Sequence, residues 1–151
     1  MFYQLIYHSR FTARTSGALS MVRDILQTSQ DNNHRDNITG FLVFDKSSFV
    51  QILEGDQAVV DATYARIVKD PRHDGLTLIE TRQVAARAFP EWSMGGFIRS
   101  PEVHHIYARH GLASGMEPET LTADQVVALA TDLLAFEQAR QGQRIIDVMS
   151  R

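Results

Sequence analysis

The order of periodic segments in this chain predicts a mixed α/β fold of the α+β kind: a ferredoxin-like βαββαββ sheet carrying two helices on one face. Three observations lead there. Five short runs rich in aromatic and β-branched residues punctuate residues 1–99, and segments of helical period follow the first and the third of them. Near the end, residues 122–141 hold an apolar stripe that needs a surface to cover, and the second sheet face would otherwise be bare.

The first run, Phe2 to His8, reads as a strand and enters a Ser/Thr/Arg/Gly loop. From Ser16, Leu19, Val22, Ile25 and Leu26 recur at helical spacing until the polar cluster Asp31-Asn32-Asn33. Ile38–Phe44 and Ser48–Leu53 are two strands joined by a turn at Asp45-Lys46-Ser47. Glu54-Gly55-Asp56 breaks the pattern, and Asp56 offers an N-cap for a second helix with apolar positions Val59, Val60, Tyr64, Ile67 and Val68. Asp70-Pro71 stops that helix, because proline restricts the residue before it. Leu76–Thr81 and Trp92–Ile98 supply the last two strands. Residues 102–110 have some helical character, and 122–141 have it strongly. Thr122 with Gln125 forms a capping box, and Val126, Leu129, Ala130, Leu133, Leu134 and Phe136 line one face before Gly142. Packing of this stripe on the free sheet face is the first expectation; a dimer seam or partner site is the alternative.

Composition narrows the function. At 151 residues, 44% hydrophobic and 22% charged, the chain suits one globular core, and it contains no cysteine to build a disulfide, a thiolate metal site or a thiol nucleophile. A net charge of −3 and a pI near 6.0 argue against binding a phosphate backbone, so no nucleic-acid partner is expected. No apolar run reaches a membrane-spanning length, and Met1-Phe2-Tyr3-Gln4 lacks the features of a signal peptide, which leads to a cytoplasmic expectation. Phosphate-binding loops, dinucleotide fingerprints and zinc-protease motifs are missing, and Ser114 does not sit in a nucleophile elbow. His104, His105 and His110 lack a carboxylate at ligand spacing, so no metal is expected, and the absence of these catalytic signatures agrees with the non-enzymatic reading that the resemblance below implies.

What remains is amide chemistry. Asn32 and Asn33 close the first helical segment, where a C-cap explains them without a ligand. Gln51 is harder to explain, since it lies inside Phe49-Val50-Gln51-Ile52-Leu53. Should it share a face with Phe49 and Leu53, a polar amide is buried among apolar neighbours and needs partners there. Tyr7 on the first strand is the candidate partner, and a carboxamide suits the carbonyl and nitrogen edge of a flat heterocycle.

Read in order, Tyr7-His8-Ser9, Asp24-Ile25-Leu26 with Ser29, Asn32-Asn33, Ile38-Thr39-Gly40, Phe49-Val50-Gln51-Ile52-Leu53-Glu54-Gly55, Asp70-Pro71-Arg72-His73 and Trp92-Ser93-Met94 resemble the BLUF domain, a flavin-binding blue-light sensor. The resemblance covers residues 1–99 as the photosensory domain and leaves 100–151 as a helical extension for capping, output or oligomerisation. It implies FAD as cofactor, with FMN or riboflavin as alternatives that share the ring. Tyr7 then matches the tyrosine that exchanges an electron and proton with the photoexcited flavin, and Gln51 the glutamine whose hydrogen bonds rearrange at the flavin edge. Asn33 matches the asparagine on the ring carbonyl, with Asn32 before it. Ile25 and Ser29 match the helix face beside the ring, and Arg66, Asp70, Arg72 and His73 border the ring or its ribityl and phosphate groups. Trp92 and Met94 match the switchable pair on the fifth strand. The implied partners are further copies of the chain, as a dimer or larger, and a separate downstream protein. The alternatives are an acylphosphatase-type hydrolase using Arg10, Arg14 and Gly17, which leaves Gln51 without a role, and an RNA-binding module, which lacks aromatic motifs and a basic face.

Overall fold

The computed structural model describes residues 1–11, 37–45, 48–69, 73–90, 96–98 and 101–149. The first helical segment, with Ile25, Ser29, Asn32 and Asn33, lies outside them, as do Asp70, Arg72, Trp92 and Met94. The described strands are β1 (Phe2–Phe11), β2 (Thr39–Asp45), β3 (Ser48–Gly55), β4 (His73–Val84) and β5 (Gly96–Ile98). The described helices are α1 (Gln57–Val68), α2 (His104–Arg109), preceded by a 3-10 turn at Pro101–Val103, and α3 (Ala123–Met149). None of them is long and apolar enough to cross a membrane.

The five strands form one sheet in the order β4-β1-β3-β2-β5. β1 runs antiparallel to both β3 and β4, and β2 antiparallel to β3, while β5 joins β2 in parallel. Insertion of β1 between β3 and β4, which α1 connects, is the split βαβ arrangement that the segment order predicted. Asp56 caps α1 as expected: its backbone is extended and its carboxylate accepts from the Ala58 N–H at 3.1 Å.

Strand alternation gives the sheet two apolar faces. Leu5, Tyr7, Leu42, Phe49 and Leu53 pack with Ile38 and with Val60 of α1. Ile6, Phe41, Val43, Val50 and Ile52 pack on the other side with Ile106 of α2 and with Val126, Leu129, Ala130 and Leu133 of α3. The amphipathic stripe of the tail therefore covers the second sheet face within the chain, and Leu134 and Phe136 pack at its margin. The capping box forms as read: Gln125 N–H donates to Thr122 Oγ1 at 3.1 Å, and Thr122 N–H donates to Gln125 Oε1 at 3.3 Å. The Gln125 amide nitrogen also donates to the His110 carbonyl at 2.7 Å, and the His110 ring meets Asp132 at 2.5 Å, so both ends of the α2–α3 connection are tied.

Several boundaries differ from the sequence reading, beginning with β1, which runs on from His8 to Phe11. β3 runs on through Glu54 and Gly55, which pair with Gln4 and Tyr3 on β1, so the expected break falls two residues later. β4 is an edge strand extending from His73 to Val84, well beyond the apolar run Leu76–Thr81, because its outer residues need no buried side chain to pair with β1. α3 passes through Gly142 to Met149; an interior glycine costs a helix about 1 kcal/mol, which does not by itself end it.

Candidate functional site: a buried tyrosine and glutamine pair

Tyr7 and Gln51 lie directly opposite each other in the β1–β3 ladder, so their side chains leave the same face of the sheet. The Tyr7 hydroxyl donates to Gln51 Oε1, and the two residues are 1% and 2% exposed. The tyrosine ring is held edge-on to Phe49, with centroids 5.9 Å apart, and tilted against Tyr64 of α1 at 5.6 Å. Burial raises the Tyr64 phenol above its ordinary value, so the ring packed on Tyr7 stays uncharged.

The amide is half satisfied. Gln51 Oε1 is committed to the tyrosine, while Gln51 Nε2 is buried with no hydrogen-bond partner among the described residues. A buried N–H2 group surrounded by Leu42, Phe49 and Leu53 calls for an acceptor, and an apolar wall cannot supply one. A flavin edge carries a ring nitrogen and a carbonyl oxygen as acceptors, and its flat ring suits an apolar cluster lined by aromatic side chains. The donor set on this face therefore fits the group.

The other expected site residues divide clearly. Arg66 sits on the exposed side of α1, where its guanidinium donates to Thr63 Oγ1 at 3.1 Å, so it is not brought against the Tyr7–Gln51 pair. His73 is described as the first residue of β4. Ile25, Ser29, Asn32, Asn33, Asp70, Arg72, Trp92 and Met94 fall outside the described residues. Among the described residues no group of three or more His, Asp or Glu side chains is arranged to hold a metal ion.

Sequence reading missed a second buried cluster on the opposite face of the same strands. Gln4 and Glu54 are fully buried there, the Gln4 amide donating to the Glu54 carboxylate at 3.0 Å, and His8 is buried on the same face four residues further along β1. Extending β3 by two residues would have exposed the signal, since Glu54 then falls three positions from Gln51 and on the other side of the sheet.

Comparison with known proteins agrees with the fold. The sequence profile of the BLUF family, described as sensors of blue-light using FAD, matches residues 2–95. Among curated proteins, the chain is 37% identical over 71 residues to a photoactivated adenylate cyclase subunit beta of Euglena gracilis. It is 30% identical over 90 residues to the blue light- and temperature-regulated antirepressor BluF of Escherichia coli. These matches take in 46% and 60% of this chain but only 8% and 22% of the relatives. Two solved structures correspond over nearly their whole length. The photo-activated state of BlsA superposes with a TM-score of 0.77 at 28% identity, covering 89% of this chain and 95% of that one. The dark state of BlrB, a BLUF protein, superposes at 0.71 and 28%, covering 90% and 96%. None of these relatives supports the hydrolase alternative. From the profile match over most of the chain, and from a sheet that buries a tyrosine against a glutamine with a donor to spare, the chain belongs to the BLUF family of blue-light sensors that bind FAD.

Proposed function

We propose that this protein is a blue-light photoreceptor in which Tyr7 and Gln51 are the light-responsive pair and residues 100–151 carry the response to a separate protein partner. The observation that carries the reading is the buried Tyr7–Gln51 hydrogen bond with an amide nitrogen left to donate elsewhere. Bound FAD supplies the blue-light absorption and the electron acceptor. Tyr7 is placed to release its hydroxyl proton along the existing bond to Gln51 Oε1 and to recover it once the amide has rearranged. A carboxamide suits the task because its two ends have nearly the same size and opposite hydrogen-bonding character, so a reversed or tautomerised Gln51 presents a different pattern to both neighbours. The wall of Leu42, Phe49, Leu53 and Tyr64 excludes water that would otherwise satisfy either arrangement equally.

The remaining contacts follow the family resemblance: Asn32 and Asn33 on the ring edge, Ile25 and Ser29 on the ring face, and Asp70, Arg72 and His73 around the ring or its chain. Arg66 joins them only by reaching past its present bond to Thr63, toward the ribityl or phosphate end. The relay runs through Trp92 and Met94 into β5 and from there to the tail. Residues 1–99 then form the sensor and 100–151 the output unit, docked through one shared core. Self-association as a dimer or larger is part of the same reading.

The deciding experiment is the absorption spectrum of the purified protein in darkness, after a blue flash and during recovery. The expected result is a yellow protein whose flavin band moves reversibly to the red, with Tyr7→Phe yellow but unresponsive. A preparation that stays colourless after incubation with FAD would end the proposal.

A further inference from the structure

The Glu54 cluster lies on the sheet face opposite the Tyr7–Gln51 pair, and it is built with unusual completeness. Glu54 is fully buried, and three donors converge on its carboxylate: the Gln4 amide at 3.0 Å, the Ala88 N–H at 2.9 Å and the Phe89 N–H at 2.7 Å. Beside it Arg87 donates to the Glu54 carbonyl at 3.1 Å, to Thr39 Oγ1 at 2.7 Å and to the Asn37 carbonyl at 3.0 Å. The last of these donors is also fixed by packing, since Phe89 is 2% exposed and its ring lies tilted against Phe41 with centroids 5.4 Å apart. The chain next enters residues 90–95 and is caught again at Gly96, which pairs with Leu42 in the β2–β5 ladder.

We infer that Glu54, with Arg87 beside it, is a positioning residue for the light response: it fixes where the segment 90–95 leaves the sheet, relative to Gln51 on the same strand. The inference deepens the reading of Tyr7 and Gln51 as the light-responsive pair and rests on it, because that reading places the relay residues Trp92 and Met94 in this segment. Ala88 and Phe89, whose N–H groups Glu54 holds, stand immediately before this segment, and Gly96, which pairs with Leu42, stands after it, so a change at the first anchor shifts the point from which the segment starts. A carboxylate is an acceptor only, so it can receive all three donors at once. It also settles the Gln4 amide, whose nitrogen must face Glu54 and whose oxygen is then free to accept from Arg82 Nε at 2.7 Å. Arg82 in turn reaches Asp124 in the first turn of α3 at 2.7 Å. The same anchor therefore holds the two residues just before the segment and is linked through Gln4 and Arg82 to the start of the output helix.

Glu54→Gln, in the full chain, is the test. It keeps the size of the side chain but sets an N–H2 group against donors that have nowhere else to bond. Trp92 is the single tryptophan of the chain, so its fluorescence reports on this segment alone. The expected result is a several-fold rise in acrylamide quenching of Trp92 in darkness and loss of the light-minus-dark difference in quenching, with the reversible red shift of the flavin band retained. Wild-type quenching in Glu54→Gln would overturn the inference. So would loss of the red shift together with the quenching difference, which would put Glu54 in the pocket rather than in the anchor. Should Glu54→Gln fail to fold, Arg87→Gln removes the neighbouring half of the same anchor from a partly exposed position, and the same change in dark quenching is expected there; unchanged quenching refutes the proposal. A wild-type protein without any red shift would sink the photoreceptor reading instead, and the dark quenching would still decide on the anchor.

Discussion

The Tyr7–Gln51 bond can be weighed without light. Tyr7→Phe keeps the ring and its packing against Phe49 and Tyr64, but it leaves Gln51 Oε1 without the tyrosine donor while Gln51 Nε2 still has no partner among the described residues. A buried polar group deprived of its partner costs about 1–3 kcal/mol, and at 2% exposure Gln51 cannot turn to water. Gln51→Leu removes the acceptor and the stranded N–H2 together, so the two effects oppose each other and the net cost falls to about 0–1.5 kcal/mol. The double variant leaves neither polar end to satisfy and comes out close to the wild type, which sets the coupling between the sites at about 1–4.5 kcal/mol. The assay is urea unfolding of the four flavin-free proteins, since bound flavin adds a linkage term of its own. Single effects that simply add, to within about 0.3–0.5 kcal/mol, would refute the bond as an energetic unit. With FAD restored, all three variants should be yellow, and none should show the reversible red shift.

Other perturbations test the rest of the fold. Leu133→Ala empties a fully buried position between α3 and the sheet and should cost about 2–5 kcal/mol in urea unfolding; a negligible loss would mean that the helix is not docked. Thr122→Ala deletes the hydroxyl that accepts the Gln125 N–H at 3.1 Å and should cost about 0.5–2 kcal/mol, read as a lower melting temperature. His8 is fully buried, and its pKa lies below the ordinary 6.5, chiefly through desolvation and then through Arg10, with the Met116 backbone, Glu117 and Glu119 pulling the other way. The unfolded chain therefore binds the proton more readily, and the stability present above pH 6.5 should fall as the pH drops through the folded value. Removing the titrating group in His8→Leu should flatten that part of the pH profile, and an unchanged slope would show that another group is responsible.

Legibility in the sequence followed how strongly each element constrains its own residues. The helix stripe of α3, its capping box and the Asp56 cap are local patterns, and each formed at the positions read from the chain. The Tyr7–Gln51 contact joins residues 44 apart, yet it was legible because a glutamine inside an apolar strand demands a partner and strand alternation names the face. Glu54 escaped because its partners come from separate stretches: Gln4 on β1, and Ala88 and Phe89 after β4. Nothing near Glu54 in sequence distinguishes a buried carboxylate from a strand-ending turn. The length of β4 escaped for the opposite reason, since an edge strand can extend wherever β1 offers backbone groups, whatever its outward side chains are.

The three-residue offset between Gln51 and Glu54 also limits how a light signal can travel. Side chains three apart on a strand point to opposite faces, so Gln51 lies with α1 while α3 packs on the other side. An amide that changes state on the α1 face does not face the output helix, and among the described residues a bias on α3 passes through the backbone of β1 and β3, with the proposed relay through residues 90–95 beside it. Its size is bounded as well. Exchanging one hydrogen-bond pattern for another at a buried amide is worth about 0.5–1.5 kcal/mol net, whereas turning an equilibrium from 1:99 to 99:1 needs about 5.5 kcal/mol. On the proposed reading, Gln51 alone therefore shifts the affinity for a partner by about tenfold at most, since 1.4 kcal/mol corresponds to one decade. A larger light response would require that the anchors at Glu54 and at the β2–β5 ladder change together with it. Wild-type and Glu54→Gln proteins should then differ in the size of the response and agree in the flavin shift.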